Sequence, residues 1–312
     1  MNSRINSHGV ARLDHWGLIR AVGPDAGTFL QGQLTNDVVH LGADAARLAG
    51  FCSAKGRLQA SFVVWKAAED AWWLACSADL LASTVKRLSM FVLRARCQLS
   101  DATPHGALYG ALGDTASAHS QHLSPWQVGR DAHGDVVRLP DVDGVARALL
   151  VGWLPDALAP LPTVALDAWR LLEVRSGVPT IEASTVDHFV PQMLNYELIG
   201  GVDFKKGCYP GQEVVARSQY RGTVKRRTFL FECAAAAQPA QEVYHSLDPL
   251  QPAGAVVNAA PAADGRSSWA LVEVKLETLS GGSLHLGEPQ GATLHRHPLP
   301  YEAMLHSAAT AG

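Results

Sequence analysis

The sequence predicts an α+β protein in which two mixed subdomains precede a small C-terminal β-barrel. Three observations lead there. Pro24 and Asp25 open an apolar helical stretch carrying Phe29, Leu30 and Leu34. Two β-branched and aromatic runs, Ser61 to Trp65 and Ala71 to Cys76, flank the polar pair Glu69-Asp70 as in an antiparallel hairpin. After Arg227 the pattern changes to short strands divided by Ala/Pro/Gly-rich loops, which suits a small barrel.

Each element has a local cause. The first helix breaks at Thr35-Asn36-Asp37, where polar side chains compete for backbone hydrogen bonds. Ser77 is expected to cap a second helix whose Leu81, Val85, Leu88 and Val92 recur at helical spacing. From Thr115 to Asp135 the residues turn to His, Ser, Gly, Gln and Asp, which predicts a surface connection between the two subdomains of residues 1–227. Asp167 is expected to cap the helix DAWRLLEVRSGVP, which Gly177 and Pro179 stop. Residues 228–312 then form the barrel, with strands such as Thr228 to Cys233 and Trp269 to Leu276 and a structureless tail beyond Tyr301.

Composition excludes several functions. With 26 basic against 29 acidic residues among 312, the net charge of −3 gives no overall field toward nucleic acid or an anionic membrane. The longest apolar candidate, Ala148 to Leu166, is interrupted by Asp156 and three prolines, so no membrane span is expected. The start, MNSRINSHGVARLDHW, has no apolar core of a secretory signal, and a cytoplasmic location is the expectation. Five cysteines, with no pair at CxxC spacing, form neither a disulfide framework nor a zinc knuckle, and His295-Arg296-His297 is too short a signal for a metal site.

One cysteine has special neighbours. Gly207, Pro210 and Gly211 force a tight turn around Cys208 and Tyr209, just before QEVVAR, which reads as the first turns of a helix. A helix N-terminus and the cations Lys205, Lys206 and Arg217 favour a thiolate, so Cys208 is a candidate reactive thiol. The alternative is a small side chain filling a gap under a glycine turn. Lys205 to Arg227 also carries seven basic groups against the single Glu213. Such an excess suits an anionic partner, a polyglutamyl tail, phosphate or RNA, or else is an exposed charged face.

The motifs FLQGQLTNDV (Phe29 to Val38), CSAKGR (Cys52 to Arg57), the helix ending SGVP, and GGVDFKKGCYPGQEVVARSQYRGTVKRR together resemble the YgfZ family of folate-binding proteins. That family is related to the T-protein, or aminomethyltransferase, of the glycine cleavage system. The resemblance runs from about Leu13 to Arg227 and weakens beyond. It implies three subdomains around a central hole that holds tetrahydrofolate or a one-carbon derivative. It also implies an accessory role for iron–sulfur client enzymes or assembly factors, felt in tRNA thiomodification, whereas direct tRNA binding is the weakest expectation.

Residue by residue, the resemblance assigns Trp16, in LDHWGL, and Trp169 as folate-contacting tryptophans, although as an isolated residue either indole would more often belong to the core. Lys206, Cys208, Tyr209, Gln212 and Glu213 fall in the signature segment, followed by Arg217 and Arg221. Asn36, Asp37, Lys55, Arg57, Gln192 and Asn195 are further candidates to bond the pterin edge or glutamate tail, or simply helix ends and turns. The T-protein's acidic positions are met here by Ala60, Ser61 and Met193. A folate-dependent one-carbon transferase, with Cys208 as nucleophile or Glu213 as acid/base, is therefore the secondary expectation.

Overall fold

The computed structural model describes residues 8–104, 106–220 and 224–310. Its elements, in chain order, begin with β1 (Gly9–Arg12), β2 (Trp16–Val22), α1 (Ala26–Gln31), β3 (Ala46–Cys52), β4 (Leu58–Ala68), β5 (Ala71–Ser77), α2 (Ala78–Ser89) and β6 (Gln98–Asp101). The strands β2 to β6 make one antiparallel sheet, in the order β3-β4-β5-β2-β6. The expected hairpin is β4 and β5, with Val63 opposite Ala75 and Trp65 opposite Trp73.

A second sheet is built by β7 (Leu108–Leu112), α3 (Gly113–Ser120), β8 (Val128–Arg130), β9 (Asp135–Val142) and β10 (Val145–Val151). Its order, β1-β7-β10-β9-β8, takes β1 away from its sequence neighbour β2. Residues 115–135, expected as a connection, thus contain a helix and an edge strand of this sheet. Their polar composition misled because α3 buries only small residues, Gly113, Thr115, Ala116 and Ser120.

Next come α4 (Pro155–Leu158), α5 (Leu166–Arg175), two 3-10 turns (Ala183–Thr185 and Pro191–Leu194) and α6 (Gln212–Tyr220). The third sheet comprises β11 (Arg226–Cys233), β12 (Glu242–His245), β13 (Asp248–Pro261), β14 (Ser268–Lys275), β15 (Leu284–Leu286) and β16 (Leu294–His297). It curls in the order β15-β12-β13-β14-β11-β16 into a half-barrel, and a bridge between His285 and Thr293 brings its two edges together. Helix α7 (Glu302–Thr310) replaces the expected structureless tail; Arg296 and the backbone N–H of Leu299 bond Glu302 and anchor its start. No helix among the described residues is long and apolar enough to cross a membrane.

Two caps differ from expectation. The Ser77 hydroxyl donates to Asp79 at 2.7 Å instead of capping α2, and α5 begins one residue before Asp167, after an uncapped Ala165. The C-terminal end of α5 does turn at Gly177, whose φ is +71°.

Helix α5 is the hub, because it packs on β13 and β14 of the half-barrel and on β1 of the second sheet. Its Leu171 and Val174 join the half-barrel core, while Trp169 and Leu172 join the core between the first two sheets. Trp169 reaches full burial because β7 offers Gly110 beneath it: a Cβ there would lie 2.2 Å from the indole. Gly110→Ala should therefore displace the indole and cost about 1–3 kcal/mol as an overpacking change. Urea unfolding measures it, and an unchanged midpoint would contradict the packing described.

Candidate functional site

A cavity of about 290 Å³ opens between the first sheet, helix α5 and the half-barrel, lined among others by His15, Trp16, Asp79, Arg170, Glu173 and Glu182. A narrower slot adjoins it, sharing Trp16, Glu173, Val178 and Thr180 and walled further by Phe62, Trp126, Leu139, Tyr196 and Arg147. The combination of flat apolar walls with a few converging polar groups is that of a small-molecule site.

Glu173 organises it. On α5, Trp169 and Glu173 stand four residues apart and so share a face. The Trp169 indole N–H donates to Glu173 Oε1 at 2.6 Å. Trp16, the first residue of β2, donates its own indole N–H to the same oxygen at 2.7 Å, and His15 Nε2 meets Oε2 at 2.8 Å. Burial opposes charge on this carboxyl, yet His15, Arg147 and the Trp169 indole outweigh it and hold it below its usual range. On the barrel side, Glu182 accepts a bond from Asn258 Nδ2 at 2.8 Å, and burial holds its carboxyl above the usual range against that bond.

Arg147 completes the slot from the second sheet. It is 4% exposed, its guanidinium carbon stands 5.1 Å from the centre of the Trp169 ring, and burial brings its pKa down to about 10 against the opposing fields of Glu173 and Asp141.

A second cluster gathers the signature segment, which the structure places apart from the cavity lining. Thr35 Oγ1 donates to Gly201 O at 2.6 Å, and Asn36 Nδ2 donates to Gly200 O at 2.6 Å and Leu48 O at 2.7 Å. Lys206 is buried: its ammonium bonds the carbonyls of Gln31 and Leu34 at the end of α1 and lies 4.9 Å from the Tyr209 ring centre. Burial lowers its pKa to about 8. Gly211, with φ +78°, packs onto the CSAKGR turn, where a Cβ would lie 2.4 Å from Ser53 O. Cys208 is exposed on this turn, whereas Cys52 and Cys76 are buried, their thiols pushed up to about 12.

The expected ligand residues therefore divide. Trp16 lines the cavity, and Trp169 stands behind it, fully buried, as a positioning group for Glu173. Asn36 and Lys206 hold backbone, so Lys206 is not free beside the thiol as expected. Asp37 is tied to His40 at 2.8 Å, and Arg57 bonds the carbonyl of His188. Gln192 donates to Val215 O at 2.7 Å and Asn195 to Thr228 O at 2.8 Å, which docks α6 and β11; neither lines the cavity. Tyr209 is buried, Gln212 half-buried, and Lys55, Glu213 and Arg217 are exposed on the Cys208 side. Arg221 lies outside the described residues.

Sequence reasoning passed over His15, Asp79, Arg147, Arg170, Glu173 and Glu182. Two of them had a signal. Arg147 interrupts the apolar strand run VARALLV, and Glu173 follows Trp169 by one helical turn.

The comparisons with known proteins agree with this architecture. The protein named tRNA-modifying protein YgfZ of Edwardsiella ictaluri is 32% identical, over 93% of this chain and 91% of the relative. The chain belongs to the YgfZ family. The YgfZ proteins of Vibrio vulnificus and Cronobacter sakazakii are 32% and 30% identical over 94% and 93% of the chain, covering 92% of each relative. No protein-family model matches. The solved glycine cleavage system aminomethyltransferase T of Bartonella henselae superposes with a TM-score of 0.75, over 95% of this chain and 86% of that one. At 17% identity this likeness establishes the fold that YgfZ proteins share with the T-protein, and no more.

Removing the Glu173 charge should loosen the centre. Glu173→Gln leaves donors facing an amide and should cost about 1–3 kcal/mol in urea unfolding at neutral pH. Since the folded carboxyl titrates below its ordinary 4.5, its stabilisation is complete above about that pH and is lost as pH falls through the folded value. Wild type should therefore lose more stability than Glu173→Gln on acidification below about pH 4.5; parallel profiles would show that the carboxylate does not serve this role.

Proposed function

We propose that this YgfZ protein binds tetrahydrofolate or a one-carbon derivative in the central cavity, as an accessory protein for the assembly or repair of iron–sulfur enzymes. The single observation that carries the folate assignment is Glu173, an ionised carboxylate held by two indoles and a histidine at the edge of a flat aromatic slot. Glu173 Oε1 already accepts two indoles, but Oε2, met only by His15, keeps one acceptor site for a ring N–H on the edge of a reduced pterin. His15 Nδ1 and Arg147 Nε, both buried without a partner, leave polar capacity for a ligand. The residues present fit the group: Trp16 would stack, Glu173 would take the donor edge, and Arg170 would stand at the wider mouth.

The accessory role rests on the relatives' printed name, tRNA-modifying protein, and on the separation of Cys208 from the cavity. An exposed thiol in a segment with exposed basic residues such as Lys205 and Arg217 suits contact with a client protein, through which tRNA thiomodification is affected. Aminomethyl transfer has less support, because Ser61 at the slot accepts the Ile181 N–H and Met193 packs into the half-barrel core where the T-protein uses acids.

Tetrahydrofolate titration followed by tryptophan fluorescence tests the first half. Trp16→Ala and Glu173→Gln should each weaken binding by roughly 10-fold or more, the loss of one stacking or charged hydrogen-bond contact. Equal affinity in both variants would move the ligand elsewhere. The second half is read in a strain lacking the gene. Cys208→Ala should retain folate affinity yet fail to restore tRNA thiomodification under oxidative stress; full restoration would remove the thiol from the function.

A further inference from the structure

Arg147 occupies a position the fold reserves for an apolar side chain. On β10 it alternates with Val145 and Leu149, both of which belong to the core between the first two sheets. Its strand neighbours are Leu139 on β9 and Leu112 on β7. The guanidinium lies over Trp169, and its Nε has no hydrogen-bond partner. Glu173 and Asp141 act on it through their fields alone. Asp141 is engaged instead by Arg138, at 2.5 Å.

A cation buried without a direct partner opposes folding, and replacing it by an apolar residue is often neutral or stabilising. Its retention is explained by what it faces. Arg147 lines the slot of about 40 Å³, enough for the edge of a ring, together with Glu173 and the apolar walls Phe62, Trp126 and Leu139. Guanidinium is donor-only and carboxylate acceptor-only. Side by side, they read a ring edge that offers an acceptor oxygen next to N–H donors.

We propose that Arg147 is a specificity-determining residue of the cavity, selecting 4-oxo over 4-amino pteridines by donating to the ring oxygen while Glu173 Oε2 takes the neighbouring ring N–H. This rests on the folate reading above and deepens it. A 4-amino ring places a donor against the guanidinium and turns the neighbouring ring N–H into a bare acceptor facing Glu173, leaving a buried cation and a buried amine both unsatisfied.

The test is titration of the full-length protein with tetrahydrofolate and with its 4-amino-4-deoxy analogue. Wild type should prefer the 4-oxo ring by ~10–100-fold, the cost of an unpaired buried donor. Arg147→Met should lower that preference severalfold, leaving the part that Glu173 supplies through the ring N–H, while its urea midpoint stays equal or rises, a response a structural arginine would not give. Arg147→Lys, which keeps a donor-only cation, should retain a preference for the oxo ring. The proposal is overturned if wild type binds both rings equally, or if Arg147→Met keeps the wild-type ratio. It is also overturned if p-aminobenzoylglutamate alone binds and loses affinity in Arg147→Met, because the guanidinium then holds the tail carboxylate. Absence of binding by either ring to wild type defeats the folate reading itself, and this assignment with it.

Discussion

The carboxylate of Glu173 lies where helix α5 meets the first and second sheets. Its two oxygens receive Trp16 and His15 from the start of the first sheet and Trp169 from its own helix, and they lie in the field of Arg147 from the second. The same helix packs its other face into the half-barrel. Hydrophobic burial drives the assembly of each sheet, but it does not choose how three apolar faces meet. A charged acceptor that must be satisfied by donors from different elements does choose, because leaving any of those donors unpaired costs more than the bond itself gains. The cavity is the space that remains beside that junction, and it inherits the junction's rigidity.

The cavity and the turn that carries Cys208 are built from different residues. The cavity and its adjoining slot are lined by aromatic rings and carboxylates, with Arg147 and Arg170 as cations in their walls. The signature segment is outside them. There Thr35, Asn36 and Lys206 are spent on backbone carbonyls, so that the glycine-rich turn carrying Cys208 is held rigidly at the surface. An assembly factor needs this arrangement more than a transferase does, since a transferase must bring its reacting groups to the folate.

Much of the fold was legible in the chain. The β4–β5 hairpin, the α2 stripe, the stop of α5 at Gly177 and the strand-rich C-terminal third follow directly from periodicity and turn residues. The second sheet was hidden, because α3 is short and buries small residues and β8 has only three residues. Pattern reading also cannot see that β1 leaves β2 to pair with β7. The family motifs drew attention to Cys208 and its neighbours, which cluster as a motif should, but the spacing could not tell that Asn36, Gln192 and Asn195 are engaged by main-chain groups. Glu173 and Arg147 were obscured for a different reason. A lone acid on a helix reads as solvent-facing, and only the tertiary structure brings two distant indoles to it. Arg147 had the clearest unused signal, a charge inside an apolar strand.

The most direct measurement is the response of the indole N–H resonances of the eight tryptophans to tetrahydrofolate in an ¹⁵N-labelled sample. Saturation should shift Trp16 and Trp169, which share Glu173, and leave Trp153 and Trp269, on the outer parts of the second and third sheets, unmoved. Unchanged Trp16 and Trp169 signals at saturating ligand, or shifts confined to residues around Cys208, would contradict a folate held at the Glu173 junction.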